Sequence, residues 1–162
     1  VLLLFIFIAI AASPSDGSFR DRCKCPRYWV PFRRSCYRVF SYLRRWHEAE
    51  AHCKSFRRKG RQGHLVSIES HSENNFVSTL WRTSYGRVRW RKTYWIGLKR
   101  HGHSWRWSDF SPFRYTRWGR RQPSNGRRQN CVHQQYRRSS YLTWNDNRCW
   151  KKLSYVCEIE KR

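Results

Sequence analysis

Acidic side chains are the scarce component of this 162-residue chain: ten Asp and Glu stand against 35 Lys and Arg, leaving a formal charge of +25 with His neutral. An excess of that size is a standing self-repulsion unless it faces a polyanion. Methionine is absent altogether, so the true start, with a basic leader, is expected upstream. Long apolar runs are lacking too. Val1 to Ala12 reads VLLLFIFIAIAA, which is too short to span a bilayer and suits the apolar segment of a secretory signal. There is no Gly-x-Ser-x-Gly, no metalloprotease helix motif and no carboxylate pair in a shared segment, and the seven His are scattered. Those absences argue against an enzyme. No internal repeat or low-complexity block stands out. Large apolar side chains, by contrast, are plentiful: 39% of residues are hydrophobic and 17% aromatic, with ten Trp. That much surface can offset the ordering entropy of one folded domain, which excludes disorder.

The cationic surplus is mostly arginine, 27 residues against eight Lys. Guanidinium offers a flat fork of donors that holds sulfate, phosphate or carboxylate at two points, whereas ammonium is a point charge. The expected organisation is a signal remnant over 1–12, an N-terminal tail over 13–24 and one domain over 25–162. No transmembrane anchor is visible, so the mature protein is expected to be secreted and extracellular. In that oxidising setting, disulfides are the default for Cys23, Cys25, Cys36, Cys53, Cys131, Cys149 and Cys157. Seven is odd, and three bridges leave one thiol near a terminus to join two chains. Zinc is the rival explanation, but Cys23 and Cys25 are one residue apart and His101 and His103 have no Cys pair nearby, so a structural zinc is not expected.

Apolar residues Trp46, Ala49, Cys53 and Phe56 recur at helical steps and predict one helix, with Glu48, Glu50 and Lys54 turned outward. Ser70-His71-Ser72-Glu73 has capping-box spacing and predicts a second helix, its buried side supplied by Phe76, Val77, Leu80 and Trp81. Strands are expected at Tyr94 to Leu98, Trp105 to Trp107 and Tyr155 to Ile159, with a loop at Gly119 to Arg128.

The ordered series Cys25-Pro26, Trp29, Ser35-Cys36-Tyr37, Glu48-Ala49-Glu50, Cys53, His64-Leu65-Val66-Ser67-Ile68, Trp95-Ile96-Gly97-Leu98, Trp107-Ser108-Asp109, Gln122-Pro123, Asn130-Cys131, Trp144-Asn145-Asp146, Cys149 and Tyr155-Val156-Cys157-Glu158 resembles a C-type lectin domain over Cys25 to Ile159. Single-domain secreted lectins such as echinoidin and perlucin are the most similar kind. The resemblance implies an α+β fold with two helices, two small antiparallel sheets and a long irregular upper loop, stapled by disulfides. It implies bridges Cys25 to Cys36, Cys53 to Cys157 and Cys131 to Cys149, leaving Cys23 over. Trp95, Leu98, Trp107 and Trp144 become core. In the family, calcium held in the upper loop binds sugar hydroxyls, and the Xaa-Pro bond there is cis.

By position, the carbohydrate-site residues implied are Gln122, Ser124, Gln129, Asn145 and Asp146, of which Gln122, Asn145 and Asp146 would be the calcium ligands. The sequence departs from the family here. Relatives place an acidic residue beside the proline and usually another before the cysteine, whereas this chain has Gln122-Pro123-Ser124 and Gln129, so Asp146 alone is anionic. Calcium wants six to eight oxygens, several of them charged. Between Trp81 and Lys152 there are 19 Arg or Lys and two acids, with Arg120, Arg121, Arg127 and Arg128 inside the loop, and each nearby like charge opposes a cation by about 1 kcal/mol. Weak or absent calcium binding is therefore expected, and those four arginines become candidate anion contacts.

Arg89-Trp90-Arg91, Trp105-Arg106-Trp107 and Arg117-Trp118 interleave charge forks with flat rings, which suits sulfated or phosphorylated sugars. Nucleic acid is a less accessible partner for an exported protein. The sequence thus points to a lectin-like binder of anionic glycans. Its alternatives are calcium-dependent binding of neutral sugars such as galactose, and a basic matrix, mineral-associated or antimicrobial surface-binding role.

Overall fold

The computed structural model describes residues 24–85, 93–135 and 142–160. The expected signal segment, the tail with Cys23, and Arg89-Trp90-Arg91 lie outside the described residues.

The chain enters through β1 (Val30–Phe32) and turns into the ten-residue β2 (Ser35–Arg44). Helix α1 (Trp46–Lys54) follows, its first turn closed by Glu48, which accepts the Arg45 amide at 3.0 Å. Trp46, Ala49 and Cys53 are buried as the periodicity requires. Glu50 is buried with them at 6% exposure, which corrects the expectation that it faces water. Its carboxylate accepts hydrogen bonds from His64 Nδ1 at 2.8 Å, the Leu65 amide at 2.8 Å and Ser108 Oγ at 3.0 Å. A buried charge is tolerable when it is saturated in this way.

The short strands β3 (Arg57–Arg58) and β4 (Arg61–Gln62) form a separate hairpin, and β5 (His64–Leu65) leads to helix α2 (His71–Tyr85). Ser70 caps α2, its Oγ accepting the Glu73 amide at 3.3 Å. The reciprocal half of the expected box is absent, because the Glu73 carboxylate instead accepts the Glu69 amide at 2.7 Å and the Tyr37 hydroxyl at 2.5 Å. Tertiary hydrogen bonds have taken the acid away from its own helix end.

Strands β6 (Thr93–His101), β7 (Ser104–Trp107), β8 (Cys131–Gln135), β9 (Thr143–Asn147) and β10 (Leu153–Glu160) complete the fold. The main path runs β1, β2, β10, β6, β8, β9, with β5 beside β10 and β7 beside β6. Two antiparallel groups are joined where β10 runs parallel to β6 at Ser154 and Tyr94, and at Tyr155 and Trp95. Gly97 is required at this junction: a Cβ there would lie 2.6 Å from the Leu65 carbonyl oxygen and 2.9 Å from Ser108 Oγ.

Three disulfides, Cys25–Cys36, Cys53–Cys157 and Cys131–Cys149, link the pairs that the resemblance implies. Trp95, Trp107 and Trp144 are essentially solvent-free and Leu98 joins them in the core. Each such tryptophan removes roughly 200 Å² from water, about 5 kcal/mol of apolar burial. Trp144 matters most for the loop, because its backbone holds the loop stem through the Arg117 carbonyl at 2.7 Å and the Gly119 amide at 2.9 Å.

Candidate functional site: the upper loop

Between β7 and β8 the chain runs from Asp109 to Asn130 without a regular element, apart from an isolated bridge in which Trp118 pairs with Trp144. It is pinned from beneath by rings. Trp118 lies 5.9 Å from Trp144, Tyr115 5.7 Å from Trp144, and Trp105 5.1 Å from Trp118. Trp105 and Trp118 are half-buried and so keep part of each ring at the surface beside the exposed Arg106.

The Gln122–Pro123 peptide is cis, and the turn after it presents two successive backbone amides to β9. Ser124 donates its amide to Asp146 Oδ1 at 2.8 Å, and Asn125 donates its amide to Asp146 Oδ2 at 2.8 Å. Ser124 Oγ lies 3.0 Å from Asp146 Oδ1 and 2.6 Å from Gln129 Oε1. A hydroxyl has one proton, so both contacts are satisfied when it donates to the carboxylate and the Gln129 amide turns its NH₂ toward Oγ. Gln122 Oε1 accepts the Ser124 amide at 2.9 Å. Asp146 is thereby 0% exposed and engaged at both oxygens.

Of the residues singled out by sequence, Gln122, Ser124, Gln129 and Asp146 are brought into one hydrogen-bonded group. Asn145 sits beside it, half-buried and in register with His133, but contributes no hydrogen bond to it. Arg120, Arg121, Arg127 and Arg128 are all exposed around this group. Asn125, Arg121 and Arg128 have left-handed backbone, with φ of 52°, 59° and 69°, and such residues cluster where a loop shape is imposed. The ion pairs among the described residues, Arg45–Glu48, Lys54–Glu50, Arg61–Glu160 and His64–Glu50, all lie elsewhere. The loop therefore has inward-pointing amides, a carboxylate engaged at both oxygens and a set of exposed guanidinium groups outside the named ion pairs. Beneath it, burial pushes the imidazole of His133 down to about 4, with Lys151 acting in the same direction, so His133 adds no positive charge at neutral pH.

A second grouping was invisible in the sequence. Glu69, Glu73, Asp109, Glu158 and Glu160 all line one cavity of about 1010 Å³, which collects half the acids of the chain. Tyr37 bridges Glu73 to Glu158, its hydroxyl lying 3.3 Å from Glu158 Oε1. Ser67 Oγ lies 2.7 Å from Asp109 Oδ2 and 3.2 Å from Glu158 Oε2. Burial, then the charges of Glu73 and Asp109, push Glu158 up to about 8. Burial likewise raises Glu73. No local signal connects residues so far apart in the chain, and the consequence is electrostatic: these acids sit apart from Arg120, Arg121, Arg127 and Arg128, and burial holds Glu73 and Glu158 toward their neutral forms.

Residues 42–159 match the family described as Lectin C-type domain. The chain is 35% identical over 161 residues to an alpha-N-acetylgalactosamine-specific lectin of Patiria pectinifera, covering 97% of this chain and 92% of that one. It is 32% identical over 162 residues to a perlucin-like protein of Mytilus galloprovincialis, covering 97% and 95%. Among solved structures, the C-type lectin CEL-I of Cucumaria echinata superposes with a TM-score of 0.76 at 28% identity, covering 86% of this chain and 99% of that one. These relatives are lectins, binding proteins and not enzymes.

Proposed function

This chain belongs to the C-type lectin domain family and is a carbohydrate-binding lectin-like protein, and from that membership we propose that its upper loop holds anionic glycans, bearing sulfate or phosphate, with weak or no dependence on calcium. The observation that carries the reading is the state of Asp146, whose two oxygens accept the Ser124 and Asn125 amides. A calcium ion at this position needs several anionic oxygens with free lone pairs. The donor set here is Gln122, Ser124, Gln129, Asn145 and one carboxylate that already accepts two amides and a hydroxyl, in a loop segment carrying four exposed arginines. So neutral a donor set fits the ion poorly, and backbone amides already engage its one carboxylate, which supports weak or absent calcium dependence.

Within this reading, Arg120, Arg121, Arg127 and Arg128 supply the charge forks. Gln122, Ser124, Gln129 and Asn145 supply neutral donors and acceptors for sugar hydroxyls, and Asp146 positions the loop. The half-buried rings of Trp105 and Trp118 offer apolar surface to a sugar face. Three disulfides suit an oxidising, extracellular setting, and among the described residues no helix is long and apolar enough to cross a membrane. Cys23, outside the described residues, remains a candidate for linking two copies, which non-reducing electrophoresis tests.

Retention on a sulfated-polysaccharide resin in the presence of chelator is the experiment. The expected result is binding that survives chelation, falls steeply with added salt, and drops when Arg120, Arg121, Arg127 and Arg128 are all changed to Gln. Release by chelator together with elution by a free neutral hexose overturns the reading.

A further inference from the structure

The far edge of the sheet carries a second concentration of arginine that the lectin loop does not use. Tyr28, just before β1, is 66% exposed, and its φ of 68° is left-handed, a conformation that costs a non-glycine residue about 1 kcal/mol or more. The surroundings impose it. Trp29 is buried and packs edge-on against Phe56 at 5.3 Å, its amide bonds the Pro26 carbonyl at 3.0 Å, and the Cys25–Cys36 disulfide closes the turn. An aromatic ring is thus held out in water on a strained but anchored backbone.

Two guanidinium groups face that ring. Arg27 lies 4.8 Å and Arg38 5.5 Å from the Tyr28 centroid, and Arg38 also lies 5.0 Å from Phe40. Neither arginine takes part in the ion pairs found among the described residues. Stacking on a ring fixes a guanidinium plane in advance and leaves its N–H edge unspent, so less freedom is lost when it receives an anion. Beside the pair opens a cavity of about 320 Å³ walled by Tyr28, Val30, Tyr37, Arg38, Val39, Leu80 and Ser84, at the small end of the range for ligand sites.

We propose that this Arg27–Tyr28–Arg38 clamp and its adjoining cavity form a second glycan site, which takes the sulfate ester of a sulfated sugar between the two guanidinium groups and seats the sugar ring against Val30, Val39 and Leu80. The aliphatic walls suit the C–H face of a hexose. They offer nothing to a bare polyphosphate, and a nucleobase would have to displace guanidinium groups from the Tyr28 ring. The two sites stand at opposite ends of the sheet path, since β1 and β9 are its terminal strands. Five interstrand steps separate them, about 24 Å at the usual spacing. One domain then bridges two sulfated chains, or two points on one, without any partner subunit.

The test uses the intact protein, a defined sulfated hexasaccharide followed by calorimetry, and beads coated with sulfated polysaccharide followed by turbidity. The wild-type protein is expected to bind two hexasaccharides per chain and to aggregate the beads. R27Q/R38Q, with an unchanged melting temperature, is expected to bind one and to leave the beads dispersed. R27K/R38K, which keeps the charge but loses the fork and the stack, is expected to weaken the second site at least threefold. Retention of two sites in R27Q/R38Q, or wild-type affinity in R27K/R38K, overturns the assignment. A variant with Arg120, Arg121, Arg127 and Arg128 changed to Gln separates the two readings: it removes the loop site alone, so one remaining stoichiometric site supports the clamp whether or not the loop assignment stands.

Discussion

Changing Asp146 to Asn probes how the loop is held. The substitution keeps the shape of the side chain but replaces one acceptor oxygen by a donor NH₂. At present Oδ1 serves the amide and hydroxyl of Ser124, and Oδ2 serves the amide of Asn125, at 2.8 to 3.0 Å. In the variant, one of the two amides meets a donor in place of an acceptor and loses a charge-assisted bond of about 1.5 to 3 kcal/mol, while the other contacts weaken by about 1 kcal/mol each on becoming neutral. The sum is about 3 to 5 kcal/mol, all of it in the loop. At about 1.4 kcal/mol per factor of ten, the Ser124 and Asn125 amides should exchange with deuterium roughly 100 to 4,000 times faster. Amides of the central strand, such as those of Trp95 and Leu98, should be little changed. Mass-resolved or NMR-detected hydrogen exchange reads both regions in one experiment. If the two loop amides exchange within threefold of the wild-type rate, the carboxylate is not the loop's anchor and the reasoning fails.

Three further outcomes follow from the same geometry. Glu50→Gln leaves a donor facing His64, Leu65 or Ser108 in a buried site and should cost about 2 to 4 kcal/mol, seen as a loss of roughly 10 °C in melting temperature. Although burial opposes ionisation of Glu50, the hydrogen bonds from His64 and Leu65 outweigh it and hold the carboxyl below its usual value, so this contribution disappears as pH falls through that depressed range. Glu158 behaves oppositely. With its folded value raised to about 8, the folded chain keeps a proton that the unfolded chain releases near 4.5, so stability is greatest below that and declines as pH rises through 8; melting curves from pH 6 to 9 should show the fall, and Glu158→Gln should flatten it. Finally, replacing Cys53 and Cys157 by Ala, which opens a span of 104 residues, should cost about 4 to 5 kcal/mol by denaturant titration, against about 3 for Cys131 and Cys149, whose separation is 18. Equal costs would contradict the loop-closure argument.

The framework of this fold is written locally. Trp95-Ile96-Gly97-Leu98 becomes a buried strand because compact apolar runs have few other options, while the three bridges come from the family resemblance and join the pairs it implies. The burial of Glu50 had a signal that hydrophobicity alone hides: it lies four residues after Trp46 and three before Cys53, on the stripe that α1 turns inward. Glu73 shows the opposite case, in which capping-box spacing is present but Tyr37, 36 residues away, competes for the carboxylate. The loop was legible as to which residues meet, since Gln122, Ser124, Gln129 and Asp146 do converge. What Asp146 does there was not, because a motif names the residues that meet and not which backbone amides turn toward a carboxylate. The gathering of Glu69, Glu73, Asp109 and Glu158 around one cavity spans 89 residues of sequence and arises only from sheet topology.

A lectin loop whose carboxylate is held by its own amides should take anions without needing a metal. Calorimetric titration of the intact protein with a sulfated oligosaccharide, run in chelator and again in saturating calcium, meets that claim head-on. The expected result is the same binding isotherm under both conditions, weakened by salt and indifferent to free hexose. Binding that appears only with calcium, and that a neutral hexose abolishes, would contradict it.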